Sequence, residues 1–364
     1  MRVIISAGGT GGHIYPAISI INKIKEESKD SEILYIGTTD RMERDIIPNL
    51  GIKYIGINAS GMSHNVLKMA KFLKNTAVSY IKCRKIMKEF KPDIVIGVGG
   101  YVTTPVIMAA HSLGIKVLIH EQNSVPGKAN LTLSKYADAV CISMESSGKY
   151  FNHKNVVFTG NPRGEEILKG KGLDKKKYGL DENKKLVVIT TGSLGSSLIN
   201  KKILEMFPMI KDKDYEVFFI TGKNNYDEVV SCALPKNVHV EPYMDNMNEL
   251  LKVTDLIISR AGATIISEIT ALGLCSILIP SPYVANNHQE INASDLEEHD
   301  AAVVIKEKEF SASLLMEKID LLLNDNKTNM MIRENAKKMG VLDSATRIYE
   351  EIKKIISRWF YAKG

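Results

Sequence analysis

The chain has 364 residues, 44% of them hydrophobic and 25% charged, with a net charge of +6. This length predicts two domains of about 150 to 180 residues, and the balanced composition excludes a disordered or fibrous chain. Four scattered cysteines with no Cys-x-x-Cys pair exclude a zinc ribbon and a disulfide scaffold and point to a reducing cytoplasm.

The N-terminal apolar run is too short for a signal peptide and no continuous run is long enough to span a bilayer, so a soluble or peripheral protein is expected. The lysine-dominated charge favours anionic partners, but one tryptophan and no recognisable module argue against nucleic acid. Short β-rich runs at 3–6, 33–36, 94–98, 117–120 and 156–158 alternate with helical spacing and restart at 186–191, 217–221, 256–259, 277–280 and 302–305. Such alternation predicts an α/β protein with two parallel sheets, helices on both faces of each.

Val3, Ile4 and Ile5 predict a buried strand, and Ala17, Ile20, Ile21 and Ile24 predict a helix with Pro16 in its first turn. Between them stands Gly8-Gly9-Thr10-Gly11-Gly12-His13. Its glycines let backbone N–H groups approach an anion at a helix start, and His13 adds a titratable group. A dinucleotide fingerprint would need glycine at Ile14 and an acidic residue closing the second strand; a P-loop would need lysine after Gly12. Both motifs fail, and a tight turn that binds nothing is the bland alternative.

Projected at 100° per residue, 66–90 places Met69, Phe72, Leu73, Thr76, Tyr80, Cys83, Met87 and Phe90 on one face, as a core stripe. Opposite lie Lys68, Lys71, Lys74, Lys82, Lys85 and Lys88, interleaved with Leu67, Val78 and Ile81. Lysines alone would be a solvated face. Mixed with apolar residues they suit an anionic bilayer surface.

A second glycine loop, Gly97-Val98-Gly99-Gly100-Tyr101, follows a strand, and His120-Glu121-Gln122-Asn123 ends the next. Gly160-Asn161-Pro162-Arg163-Gly164 and the lysine-rich stretch 169–185 read as hinge and linker. A third loop, Thr191-Gly192-Ser193-Leu194-Gly195-Ser196, opens the second half. Ligands of open α/β sheets bind at the carboxyl ends of strands, so these loops predict a cleft between two domains.

Asp212-Lys213-Asp214 reads as a solvated turn, not a metal site, and no metal-ligand motif is present. The stretch 259–268 leaves a strand at Ser259-Arg260 and enters a helix that Gly273 ends. Its start offers N–H donors to a phosphate, and Glu268 can accept hydrogen bonds from two vicinal hydroxyls such as those of ribose. Asn286, Asn287, Gln289 and Asn292 follow the next strand, and amides suit a sugar ring because they both donate and accept.

Over nearly the whole chain, these motifs resemble in order and spacing the MurG type of peptidoglycan N-acetylglucosaminyltransferase, a family of GT-B glycosyltransferases. The resemblance implies two Rossmann-like doubly wound domains facing each other across a cleft. These are expected at 1–162, rejoined by a helix at 345–364, and at 163–344. It implies inverting, metal-independent transfer of GlcNAc from UDP-GlcNAc to the MurNAc 4-hydroxyl of undecaprenyl-pyrophosphoryl-MurNAc-pentapeptide (lipid I), giving lipid II for peptidoglycan synthesis. No cofactor is implied beyond the donor. The implied setting is peripheral, at the cytoplasmic face of the cell membrane, with an anionic surface and other cell-wall synthesis proteins as partners.

Carried onto this sequence, the resemblance assigns UDP-GlcNAc to Thr10, Gly11, Gly12, Asn123, Arg163, Ser193, Met244, Ala263, Thr264, Glu268 and Gln289. Lipid I falls to Gly8, Gly9, Thr10, Gly11, Gly12, His13, Gly99, Gly100, Tyr101 and Asn123. His13 is the first candidate base, with Glu121 and His120 as rivals. The chain departs from the family at Thr191 and Ser196, at Gly164 where arginine is usual, and at Ile265 where threonine is common. Alternatives are another GT-B transferase with a lipid or natural-product acceptor, a UDP-GlcNAc 2-epimerase, and a non-catalytic sugar-nucleotide sensor.

Overall fold

In the run 3–5 every residue is apolar and fully buried, as a strand covered on both faces requires. Val3 and Ile5 pack with Ile14, Ala17, Ile20, Ile21 and Ile24 of one helix, while Ile4 packs with Val95, Val106 and Ile107 on the other side. The computed structural model describes residues 1–61, 66–192 and 195–361, with side chains outside 66–68, 70–71 and 358–361. Contacts divide the chain into two units, Met1–Glu166 with Asp343–Gly364, and Ile167–Leu342.

The first unit holds β1 (Arg2–Ser6), β2 (Glu32–Thr38), β3 (Lys53–Ile57), β4 (Ile94–Gly97), β5 (Lys116–Glu121), β6 (Ala139–Ile142) and β7 (Val156–Phe158). All pair in parallel, in the order β3-β2-β1-β4-β5-β6-β7. Its helices include α1 (Gly11–Glu27), α2 (Glu43–Asn49), α3 (Val66–Phe90) and α4 (Thr103–Ser112). The helix Ser344–Tyr361 packs Ile348, Tyr349, Ile352 and Ile355 into the α1 side of this sheet.

The second unit repeats the plan with β8 (Lys185–Thr190), β9 (Tyr215–Ile220), β10 (Val238–Glu241), β11 (Leu256–Ser259), β12 (Cys275–Leu278) and β13 (Val303–Val304). Their order is β10-β9-β8-β11-β12-β13, again parallel. Val187 and Ile189 face one layer, Leu186 and Val188 the other.

In each sheet the order reverses between the first strand and its later neighbour, β1 beside β4 and β8 beside β11. Chains leaving such neighbours turn to opposite faces and open a crevice at the strand ends. All three glycine loops, and the 259–262 turn, leave these four strands.

Three expectations need correction. Helix α1 begins at Gly11, so Pro16 stands in its second turn, where it donates no hydrogen bond. Residues 169–185 are no free linker: Leu173 and Leu180 are buried with Val188 and Phe218. On α3, Cys83 and Met87 are buried but Leu73 is 60% exposed, because the core stripe shifts away from it toward Ser79 and Ile86.

Candidate active site

In the first unit, β1 and β4 end in register at Ser6 and Gly97, and the loops that follow dovetail. Val98 N–H donates to Ser6 O at 2.8 Å, and Gly8 N–H donates to Gly99 O at 3.2 Å. Gly99 and Gly100 have φ of +111° and +90°. A Cβ on Gly99 would lie 2.6 Å from His13 Cδ2, and one on Gly100 would lie 2.3 Å from Gly8 O. Glycine is therefore what lets the second loop close on the first.

Helix α1 starts with bonds from His13 N–H and Ile14 N–H to Thr10 O. The N–H groups of Gly11 and Gly12 precede that first turn, and the Thr10 side chain does not cap them. Such a helix start, with its partial positive charge, suits a phosphate. His13, half-buried, sets Nδ1 3.1 Å from Gly8 O and 3.4 Å from Thr10 Oγ1. A carbonyl only accepts, so the hydrogen is on Nδ1 and the neutral ring carries its lone pair on Nε2. Tyr101 is 60% exposed. The Arg163 guanidinium lies 5.8 Å above the Tyr15 ring, which itself flanks Gly11, and so brings a cation beside the loop.

His120 and Glu121 are corrected as candidate bases. His120 is fully buried: its Nδ1 meets Gln122 Nε2 at 2.9 Å and its Nε2 meets Gly160 O at 3.2 Å. Burial holds its imidazole down at about 4, with the Gly160 bond opposing. Glu121 is 2% exposed and accepts from the N–H groups of Gln122, Asn123 and Gly127 and from Asn130 Nδ2. Both residues shape the loop that carries Asn123, while Gln122 ties it to Val98 O.

A buried neutral histidine has a pH signature. The unfolded chain protonates His120 near 6.5 and the folded chain only near 4, so its contribution is fully present above about pH 6.5 and is lost as pH falls toward 4. That loss is on the order of 3 kcal/mol. Urea unfolding from pH 7 to 4.5 should show a steeper loss for the unchanged chain than for His120→Gln; parallel curves would contradict it.

In the second unit, the helix Ala263–Leu272 starts at Gly262 in extended conformation and ends at Gly273 with φ +61°. Its first bond runs from Ile266 N–H to Gly262 O, so the N–H groups of Ala263 and Thr264 stand at the open end. Thr264 Oγ1 is buried with no partner among the described residues, a hydroxyl awaiting an acceptor or donor. Glu268, 4% exposed, lies on the same helix. Arg260 does not reach outward as a ligand: it pairs with Glu307 at 2.5 Å and donates to Ser196 Oγ at 3.0 Å and Ile279 O at 3.1 Å. It thereby pins the third glycine loop to β11 and β12.

Gln289 Oε1 accepts from Ser281 N–H at 2.9 Å, which leaves its amide hydrogens to point elsewhere. Asn292, grouped with the sugar-binding amides, is fully buried and donates to Ala261 O, so its role is to hold the 259–262 turn. Met244 packs as a core side chain with Phe218 and Ile220. Ser193 lies outside the described residues. Thr10, Gly11, Gly12, Asn123 and Arg163 belong to the first unit, and Met244, Ala263, Thr264, Glu268 and Gln289 to the second. Sequence reasoning missed Glu43 and Glu307, which support loops from elements distant in sequence.

Two parallel sheets, each with glycine loops and a helix start at its switch point, define the class as a GT-B glycosyltransferase fold. Residues 3–142 match the glycosyltransferase family 28 N-terminal domain and residues 186–348 its C-terminal domain. The chain is 45% identical to the UDP-N-acetylglucosamine–N-acetylmuramyl-(pentapeptide) pyrophosphoryl-undecaprenol N-acetylglucosamine transferase of Bacillus licheniformis, over 98% of this chain and 99% of that one. The Bacillus subtilis protein of the same name is 44% identical, over 97% and 100%. The crystal structure of Acinetobacter baumannii MurG superposes with a TM-score of 0.74 at 25% identity, covering 97% and 99%. The calicheamicin glycosyltransferase CalG4 shares the fold, with a TM-score of 0.73 at 13% identity over 98% of both chains. The chain belongs to glycosyltransferase family 28 and, within it, to the MurG family.

Proposed function

We propose that this protein transfers GlcNAc from UDP-GlcNAc to the MurNAc 4-hydroxyl of lipid I, forming lipid II for peptidoglycan synthesis. The observation that carries this is the 45% identity, along 98% of the chain, to a transferase named for that donor and acceptor. The second unit holds UDP-GlcNAc, with the ribose on Glu268, the diphosphate at the start of the Ala263–Leu272 helix, and the sugar on Gln289. The first unit holds lipid I, its diphosphate against the loops at 8–12 and 99–100.

His13 takes the proton from the acceptor hydroxyl. The freed oxygen pair attacks C1 of GlcNAc, and the C1–O bond to UDP breaks, leaving both its electrons on UDP. Attack opposite the departing UDP inverts the anomeric configuration. The helix N–H groups stabilise the charge that develops on the diphosphate. The test is incubation of the full chain with UDP-GlcNAc or UDP-glucose, with and without a short-chain lipid I analogue, following UDP release and disaccharide. UDP release and a β-linked disaccharide only with UDP-GlcNAc plus acceptor are expected. Turnover without acceptor would instead favour a 2-epimerase.

Lipid I is membrane-bound, and we place the protein peripherally on the cytoplasmic face. Among the described residues no helix is long and apolar enough to cross a membrane. On α3, Leu73, Val78 and Ile81 are 55 to 67% exposed among exposed Lys74, Lys82, Lys85 and Lys88. The side chains of Leu67, Lys68 and Lys71 lie outside the described residues. Each cation near an anionic surface contributes about 1 kcal/mol. Changing Lys68, Lys71 and Lys74 to Glu should therefore lower partitioning onto phosphatidylglycerol vesicles by at least about 100-fold. Binding that ignores lipid charge and these substitutions would rule the surface out.

A further inference from the structure

The Gly8–Gly9 peptide group has a partner at each end. Its carbonyl accepts the His13 Nδ1 hydrogen at 3.1 Å, and its N–H donates to Glu43 Oε2 at 3.3 Å. Glu43, the first residue of α2, has 0% exposure, unlike a solvated carboxylate at a helix start. Its other oxygen, Oε1, accepts from Thr38 N–H at 3.1 Å and Thr38 Oγ1 at 2.8 Å. Thr38 Oγ1 already accepts from Arg41 N–H, so its own hydrogen is turned to Glu43. Three donors converge on this side chain, which is the surrounding an ionised, acceptor-only carboxylate requires.

The loop is also shaped to receive it. A Cβ on Gly8 would lie 2.3 Å from Glu43 Oε1, so only glycine at position 8 lets the carboxylate come this close. A carboxylate on the N–H end of a peptide group polarises it and strengthens its carbonyl as an acceptor. A histidine whose Nδ1–H faces a strengthened acceptor is fixed in one tautomer and made more basic at Nε2.

We propose that Glu43 is a positioning residue for His13, acting through the Gly8–Gly9 peptide group as a relay from carboxylate to imidazole. The inference rests on the reading of His13 as the base. The other ionisable groups around the relay are Tyr35 on β2 and Tyr54 on β3, with Asp40, Arg44 and Asp45 acting on Tyr54, and Tyr15 with Arg163 on the α1 side. Burial first, and then the Glu43 charge, raise both Tyr35 and Tyr54, so these hydroxyls stay protonated around it.

The test combines histidine NMR with kinetics on the full chain. Nitrogen-15 shifts of histidine-labelled protein, with the His13 signal assigned by its loss in His13→Gln, report its tautomer and pKa without turnover. In the unchanged chain neutral His13 should carry its hydrogen on Nδ1. In Glu43→Gln the His13 pKa should fall. Transfer should lose about 10- to 100-fold in kcat, with KM for UDP-GlcNAc unchanged and the acid limb of the kcat profile moved to lower pH.

An Nε2–H tautomer in the unchanged chain overturns the relay, and this measurement needs no variant to fold. So does a folded Glu43→Gln chain with an unaltered His13 spectrum, even if its kcat falls, since that loss would be structural. If instead His13→Gln keeps transferring GlcNAc, the base reading fails, while the spectra still decide the relay on their own.

Discussion

Replacing His13 by alanine is expected to lower kcat for GlcNAc transfer by about 100- to 10,000-fold, the range that a positioned general base contributes. The acceptor hydroxyl is a poor nucleophile until its proton leaves, and His13 is the candidate whose ring stands at the loop edge. Its Nδ1 is engaged by Gly8 O, so in the proposed reaction the proton goes to Nε2. Binding of UDP-GlcNAc should be unchanged, because the residues proposed to hold it, Glu268 and the start of the Ala263–Leu272 helix, belong to the other unit. Lipid I binding should weaken only slightly. His120→Gln and Glu121→Gln make the contrast: they should lower stability and leave the pH dependence of kcat in place, since both side chains are interior. Near-normal kcat in a folded His13→Ala chain would return the role to another group.

The three glycine loops and the 259–268 stretch were legible because local chemistry writes them: an apolar strand, glycines, then helical spacing, all within about fifteen residues. The parallel sheets followed from alternation alone. What was not legible depends on contacts between distant parts of the chain. His120 and Glu121 look like catalytic groups in sequence, and only burial and their partners at Gly160, Gly127 and Asn130 turn them into loop supports. Glu43 looks like an ordinary acid at a helix start, yet it reaches a glycine 34 residues earlier. Glu307 is hidden in the same way behind Arg260, 47 residues before it. Leu73 shows the limit of helical projection, which gives angles along α3 but not how wide a strip its neighbours cover.

Gly100→Ala should be among the most damaging single-methyl additions in the first unit. Gly100 has φ +90°, which costs a side chain about 1 to 3 kcal/mol. Its new Cβ would also lie 2.3 Å from Gly8 O, a backbone atom that cannot rotate away. Overpacking of this kind adds about 1 to 3 kcal/mol. The expected loss by urea unfolding is therefore about 2 to 6 kcal/mol. Gly9→Ala isolates the first contribution, because Gly9 has φ +93° but nothing within 4 Å of its Cβ position, and it should lose only about 1 to 3 kcal/mol. The kinetic consequence separates them further. Relief of the Gly100 contact has to move one of the two loops, and Gly8 O, which the contact meets, is the acceptor for His13 Nδ1; a misplacement near 1 Å costs about 100-fold in rate. Gly100→Ala should thus lose transfer well beyond its loss of folded protein, with UDP binding, proposed for the second unit, retained. Equal stability losses for the two alanines would mean that the loops do not dovetail as the Gly8 to Gly100 contact requires.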